Sequence, residues 1–535
     1  MNQSNNSETE GLSKLIPDND NENIRINSAK LESSINYSDN NNDDYRSIRG
    51  YTSEEETNRK IKDEQEEENE FPKEIEYLDF FKKLSVIAFP TMVFYLCVIL
   101  MQTINLIFVR IKYDSKEIGQ SIGASNLYMN CTLFAIVMGL QSGIDTLCSN
   151  AYAVKKYYLM GLYLHRARII THFICFVIVI IHIFTAKYVI NLFDLEEKVK
   201  SDAIEYLYYS LIYAFFDVQS GANLRYLNVV RKAHVSFIIL LVCILFHPLW
   251  NYIFLMRLDL GIKGCALSFI TGRFLLCLIT TWYLWVYPPQ PEASFWINKK
   301  CFIGLWDYMK FTFGSAVLMC AEWWPFEILT YMTTYISDLD YNVNIYVEQL
   351  SALFFSLSVG ISFAVTVYIS DYIAKYTVKM TKRISYLSTI YTLILGGILS
   401  IIVLLLRGSI LKLFTTDQDI LEKGEPTMLV LSFVVFFKNL QYTFSSILRG
   451  LGKQTEASII SIIIFYLVML TLAYIFGNEL KMGVLGIWVA ILIGNILASF
   501  LFFIMLTFII NWEKVQKETL LRLKNDNKIS LLEIN

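Results

Sequence analysis

From Leu84 to about Trp512 the chain alternates long apolar runs with short polar breaks. About twelve such runs can be counted, each near the roughly 20 residues an α-helix needs to cross a hydrocarbon core. The expected spans are 84–109, 121–148, 168–192, 203–222, 235–256 and 262–287, then 303–336, 344–370, 384–406, 427–447, 457–476 and 482–511. Lipid offers no partner to backbone polar groups, so runs of this length must close their own hydrogen bonds as helices. The pattern predicts an all-α polytopic membrane protein. Composition agrees, since 54% of the 535 residues are hydrophobic and 15% aromatic, well away from soluble averages.

Residues 1–70 carry no such pattern. They are rich in Asn, Asp, Glu, Ser and Lys and close on the acidic run Asp63 to Glu70, with too little apolar surface to offset the entropy of ordering. A disordered acidic tail acting as a solvated spacer is expected. No apolar region of the signal-peptide kind follows Met1. The Asn-x-Ser sequons at Asn2, Asn5 and Asn36 matter only on a lumenal tail. The formal charge of −3 decides little, because this tail and the basic loops nearly cancel. Lys82 and Lys83 ahead of the first span, and Lys514, Lys517, Arg522 and Lys524 after the last, place both ends in the cytosol by the positive-inside tendency. The nine cysteines lie almost wholly in apolar runs without CxxC spacing. They read as small buried hydrophobes, not as disulfides or metal ligands, and no cofactor is expected.

An internal repeat divides the spans. LRYLNVVRKAHVS at Leu224 returns as LRGLGKQTEASII at Leu448, and LGIKGCALS at Leu260 returns as MGVLGIWVA at Met482. Leu192-Phe193-Asp194 is echoed by Leu413-Phe414-Thr415, and Gly139 by Gly360. All four offsets lie close to 220 residues and keep the same order. Two pseudo-symmetric six-helix lobes follow, an N-lobe at 71–287 and a C-lobe at 302–511. A Pro-rich loop at 288–301 (Pro288, Pro289, Pro291) joins them, and a second cytosolic tail runs over 512–535. An even helix number per lobe makes the repeats parallel, with a cleft between them that rocks open to alternate sides.

The chemistry concentrates in CAEWWPFE, Cys320 to Glu327. An ionisable side chain at membrane depth costs several kcal/mol unless function or pairing holds it there. Apolar sequence from Phe311 to Ala321 and from Phe326 to Thr333 keeps both Glu322 and Glu327 at depth and argues against an interfacial helix end. Five residues apart, the two acids point about 140° away from each other on a straight helix. Pro325 leaves the Ala321 carbonyl without its N–H partner and is expected to bend the helix so that both turn to one cavity. Trp323 lies one turn from Glu327 on the same face, and an aromatic wall beside a carboxylate suits an organic cation.

Other polar residues invite plainer readings. Asp145 is expected in a structural or helix-terminal role, and Asp217 either lines the cavity or sits at an interface. His172 and His182 lack metal-ligand spacing and read as packing histidines. Gly450-Leu451-Gly452-Lys453 does not make a phosphate loop, because Ile447 stands where the first Gly is required and Gln454 where Ser or Thr is. Nucleotide binding, an ATP-driven pump and nucleic-acid recognition are therefore set aside. Five scattered histidines likewise supply no constellation for a membrane-embedded enzyme.

GLQSGIDTLCSNAYAVKKYYLMGLYLHRA from Gly139 to Ala167, CAEWWPFE, LRGLGKQ and GVLGIW together resemble the multidrug and toxic compound extrusion (MATE) family, eukaryotic type, over about Leu84 to Trp512. The resemblance implies a twelve-helix, two-lobed antiporter that exchanges organic cations or other amphiphiles for H+ or Na+, and not an enzyme. It implies a cation and proton site at Glu322 and Glu327; Trp323, Trp324, Asp217, Glu348 and Gln349 are expected in the substrate cavity. Low dielectric disfavours a carboxylate's charged form and a cationic guest favours it, so H+ and cargo exclude one another. The chain departs from the family at Asn105, where many bacterial members carry an acid, which argues against a first-span carboxylate mechanism. It departs again at Ser149-Asn150, at Ala153-Val154 and over Thr366 to Asp371, and Gln349 stands where an acid is expected, with Glu348 adjacent. These changes bear on substrate range and coupling ion more than on fold. The expected protein is a monomeric exporter in the plasma membrane or an acidic endomembrane, proton-coupled, with Na+ coupling, a lipid-linked flippase or a non-transporting relative as alternatives.

Overall fold

The computed structural model describes residues 77–531 apart from 114–115, 194, 413–414 and 416. The acidic tail, its sequons, and Asp194, Leu413 and Phe414 of the repeat lie outside the described residues. Every apolar run is a long helix. In chain order these are α1 Tyr77–Tyr113, α2 Glu117–Ala153, α3 Tyr157–Asn191, α4 Glu197–Val229, α5 Ala233–Arg257 and α6 Gly261–Val286. They continue with α7 Leu305–Thr334, α8 Asp338–Lys375, α9 Val378–Lys412, α10 Gln418–Gly450, α11 Gln454–Glu479 and α12 Val484–Ile509. A polar helix follows, α13 Trp512–Leu531. No strand occurs among the described residues.

Helices outrun the apolar runs that announced them, as α1 does at both ends of 84–109, because backbone hydrogen bonding does not stop at the bilayer surface. Among the described residues nine helices are long and apolar enough to cross a membrane. The remaining long ones, α4, α7 and α10, each carry charges at depth: Asp217 and Arg225, Glu322 and Glu327, Lys438 and Arg449. The bundle interior takes up those charges, so hydropathy understates these three.

Helix partnerships recur six helices on. α1 packs on α5 as α7 does on α11, α2 on α4 as α8 on α10, α3 on α4 as α9 on α10, and α4 on α6 as α10 on α12. Between the halves α1 lies along α8 and α2 along α7, which are themselves equivalent pairs. This is a parallel pseudo-two-fold arrangement. Gly139 and Gly360, paired by the repeat, sit at those two crossings. A Cβ on Gly139 would lie 2.4 Å from the Ala316 Cα, and one on Gly360 would lie 2.6 Å from the Met92 nitrogen. Only glycine permits backbones this close.

The hydrophobic cores show where the halves meet. Phe80, Leu84, Leu147 and Val229 of the first half share one buried cluster with Ile369, Leu448, Trp512 and Leu523. Elsewhere the cores are separate: Met129, Leu133, Tyr213 and Phe269 belong to the first half alone, and Val343, Met428, Phe465 and Trp488 to the second. The halves are therefore joined at the end bearing α13. Polar contacts cross the same junction. Arg231 pairs with Asp371 and covers the Tyr368 ring at 4.3 Å, and the Thr146 hydroxyl donates to the Arg449 carbonyl at 3.2 Å.

Helix α13 straps this end. Trp512, Val515, Thr519 and Leu523 form its buried stripe at helical spacing. The Tyr163 hydroxyl of α3 donates to Asp526 at 2.6 Å, Gln516 donates to the Ile373 carbonyl of α8 at 3.3 Å, and the Arg522 guanidinium covers Phe311 of α7 at 4.4 Å. A buried charge without a partner costs several kcal/mol, so Leu523→Asp should release the strap. Limited trypsin digestion should then cut after Lys514 and Lys517 at least about tenfold faster than in the parent.

Candidate functional site

The second half encloses a cavity of about 170 Å³ between α7, α8 and α10. Glu322, Trp323, Phe326 and Glu327 of α7 line it, with Glu348 and Phe355 of α8, Lys438 and Tyr442 of α10, and Trp488 of α12. The two acids of CAEWWPFE thus reach one cavity although they leave α7 in different directions. Glu322 turns to α10, where Gln441 and Ser445 meet it, and Glu327, Trp323 and Phe326 line the same cavity. Pro325 is buried inside α7 and does not end it.

Glu322 is fully buried. Its Oε1 accepts from Gln441 Nε2 at 2.7 Å and from the Ser445 hydroxyl at 3.0 Å, while its Oε2 is buried with no hydrogen-bond partner among the described residues. One oxygen is fixed in place and the other is not. Glu348 is aimed by a chain of polar groups: the Thr330 hydroxyl donates to its Oε2 at 2.7 Å, Asn344 Nδ2 donates at 3.4 Å, and the Trp488 indole N–H holds Asn344 Oδ1 at 3.0 Å. Glu327 is half-buried on the same wall. Gln349, one residue from Glu348, points to an exposed face of α8 and takes no part.

A second cavity, about 330 Å³, lies between the halves. Tyr95, Gln102, Asn130, Gln141 and Asp217 come to it from the first half, and Trp323, Phe355 and Phe363 from the second. Trp323 and Phe355 are common to both cavities, with ring centres 6.0 Å apart, and form the wall between them. Asp217 lines the central cavity and pairs with Arg273 at 2.8 Å, so its charge is answered within the first half. Trp324 does not reach either cavity. Its indole N–H donates to the Cys131 carbonyl at 2.8 Å, in a π-helical stretch of α2, Asn130–Phe134, whose wider turn frees carbonyl groups.

Several other polar residues are held by neighbouring groups away from the acids of α7. Asp145 is buried against Arg225. His182 bonds Thr132 at 2.7 Å and meets the Tyr128 ring edge-on, and His172 Nδ1 stays within 2.8 Å of the Arg168 carbonyl of its own helix. Asn105 holds His247 at 2.7 Å. Sequence reasoning missed Gln441, Ser445, Phe355, Tyr442 and Lys438. Lys438 had a signal, an ionisable residue inside VVFFKNLQY; the others are ordinary residues whose roles come only from what faces them.

Comparison with known proteins bears on the same regions. The family model MatE matches residues 90–253 and 315–475. Protein DETOXIFICATION 27 of Arabidopsis thaliana is 23% identical over 405 residues, covering 74% of this chain and 82% of that protein. Multidrug and toxin extrusion protein 1 of Homo sapiens is 23% identical over 447 residues, 81% of this chain and 75% of its own. Among solved structures, the eukaryotic MATE transporter AtDTX14 superposes with a TM-score of 0.79 at 19% identity over 84% of this chain and 99% of that one. An outward-facing MATE family transporter of the MOP superfamily gives 0.72 at 15% identity, over 82% and 96%.

Proposed function

Because this chain belongs to the MatE family of multidrug and toxin extrusion transporters, we propose that it exports organic cations or other amphiphilic small molecules in exchange for protons. The observation that carries this reading is Glu322, fully buried beside an aromatic cavity with one carboxylate oxygen fixed and the other unclaimed. A carboxylate so placed holds either a proton or a cation, and exclusion of one by the other is the exchange step. Glu327 and Glu348 add negative potential to the same cavity, and Trp323 and Phe355 offer ring faces to a cationic guest. Asp217 belongs to the central cavity through which cargo passes.

With both tails cytosolic, the shared core and the α13 strap close the cytosolic end, and the state described is the outward-open one. Protonation then favours one opening and cargo the other, as a two-state exchanger requires. The protein works as a monomer, in the plasma membrane or an acidic endomembrane. A Na+-coupled exporter is the second reading, since the cavity's carboxylate oxygens also suit a hard cation.

Reconstitution separates the two. Purified protein in liposomes loaded with a fluorescent organic cation should export it when a pH gradient is imposed and not when a Na+ gradient is imposed at equal pH. Export on the Na+ gradient alone would move the assignment to Na+ coupling, and no export on either would reject the exporter reading.

A further inference from the structure

The cavity already contains a cation. Lys438 is buried in α10, and its Nζ stands 4.1 Å from the ring centre of Phe326 and 4.8 Å from that of Phe355. Glu322, Glu327 and Glu348 line the space around it. An ammonium set over two aromatic faces among carboxylates is the arrangement that recognises an organic cation. Here the chain itself supplies the ammonium, on a four-carbon stem flexible enough to withdraw. Phe355 is also a wall of the central cavity, so what occupies one of its faces is felt from the other side.

We propose that Lys438 is a specificity-determining residue, a tethered cation that competes with cargo for the aromatic and carboxylate seat of the C-lobe cavity. It stands among three carboxyl groups and answers the charge of one. A small monovalent cation must therefore displace it, and gains less from the acids than their number implies. Cargo able to engage the acids while the ammonium moves aside is favoured over a simple quaternary ammonium. The inference rests on the organic-cation reading above and deepens it.

The test uses a pair of ligands that differ in charge alone, choline and its carbon isostere 3,3-dimethylbutan-1-ol. Binding to the full chain in detergent is followed at equilibrium by the fluorescence of Trp323, with Trp323→Phe as the signal control. Lys438→Met should tighten choline binding at least about tenfold with less than twofold change for the isostere. Lys438→Arg, which keeps the charge, should not tighten it. Lys438→Gln serves as the second neutral variant, should Lys438→Met fail to give a monodisperse protein. Unchanged or weaker choline binding in the neutral variants, or equal changes for both ligands, would overturn the proposal, the latter because it reports packing and not charge. No gradient enters this measurement. A failure of proton-coupled export with charge-selective tightening intact would therefore sink the coupling assignment and leave the role of Lys438 standing.

Discussion

Glu322→Gln is expected to abolish proton-coupled export of an organic cation while leaving the protein inserted and monodisperse. Glutamine is close to isosteric, and its side-chain carbonyl can still accept from Gln441 and the Ser445 hydroxyl, which hold Oε1 in the parent. The packing cost is therefore small. What disappears is the choice between a charged and a neutral state. A unit charge about 4 Å from a cation is worth about 4 kcal/mol at an effective dielectric of about 20, and each 1.4 kcal/mol is roughly a factor of ten. Initial rates in proteoliposomes under a fixed pH gradient should fall by far more than about tenfold. Rates near the parent's would show that the exchanged proton sits elsewhere.

The second large effect is expected at the crossing of α2 and α7. Gly139→Val places a branched side chain where even a Cβ would lie 2.4 Å from the Ala316 Cα and 2.8 Å from the Ser315 carbonyl oxygen. Backbone cannot yield as a flexible side chain does, so the two helices must part, and with them the core that joins the halves. Overpacking of this kind typically costs about 1–3 kcal/mol, enough to change the balance between two openings by about 5- to 150-fold. Cys148 reports on it, being a free thiol fully buried in that shared core. Alkylation of Cys148 by a maleimide, read by mass spectrometry, should rise at least about tenfold, and turnover should drop. Parent-like labelling and transport together would mean the halves are not held closed by this contact.

Much of this architecture was legible because membrane and repeat both leave a mark on every residue they touch. The twelve helices follow from run length, and the offset that pairs Gly139 with Gly360 also pairs the two inter-half crossings. CAEWWPFE stood out because an acid in an apolar run carries an energy that something must meet. Three helices, α4, α7 and α10, would have been the weakest by hydropathy, and most of the charged groups that line the cavities come from those same three, Glu348 of α8 and Arg273 of α6 apart.

What the chain determined by itself, then, is local and periodic: helix number and length, the two-fold repeat, and the presence of Glu322 and Glu327 at depth. Only the tertiary structure decided which face each residue met. It sent Trp323 into the cavity and Trp324 to the Cys131 carbonyl, chose Glu348 over its neighbour Gln349, and set Lys438 on two rings within reach of the acids. The reason is geometric. Neighbours on a helix differ by about 100° in direction, so one position of register separates lipid from cavity. The carboxylate that Gln441 and Ser445 meet comes from another helix more than a hundred residues away.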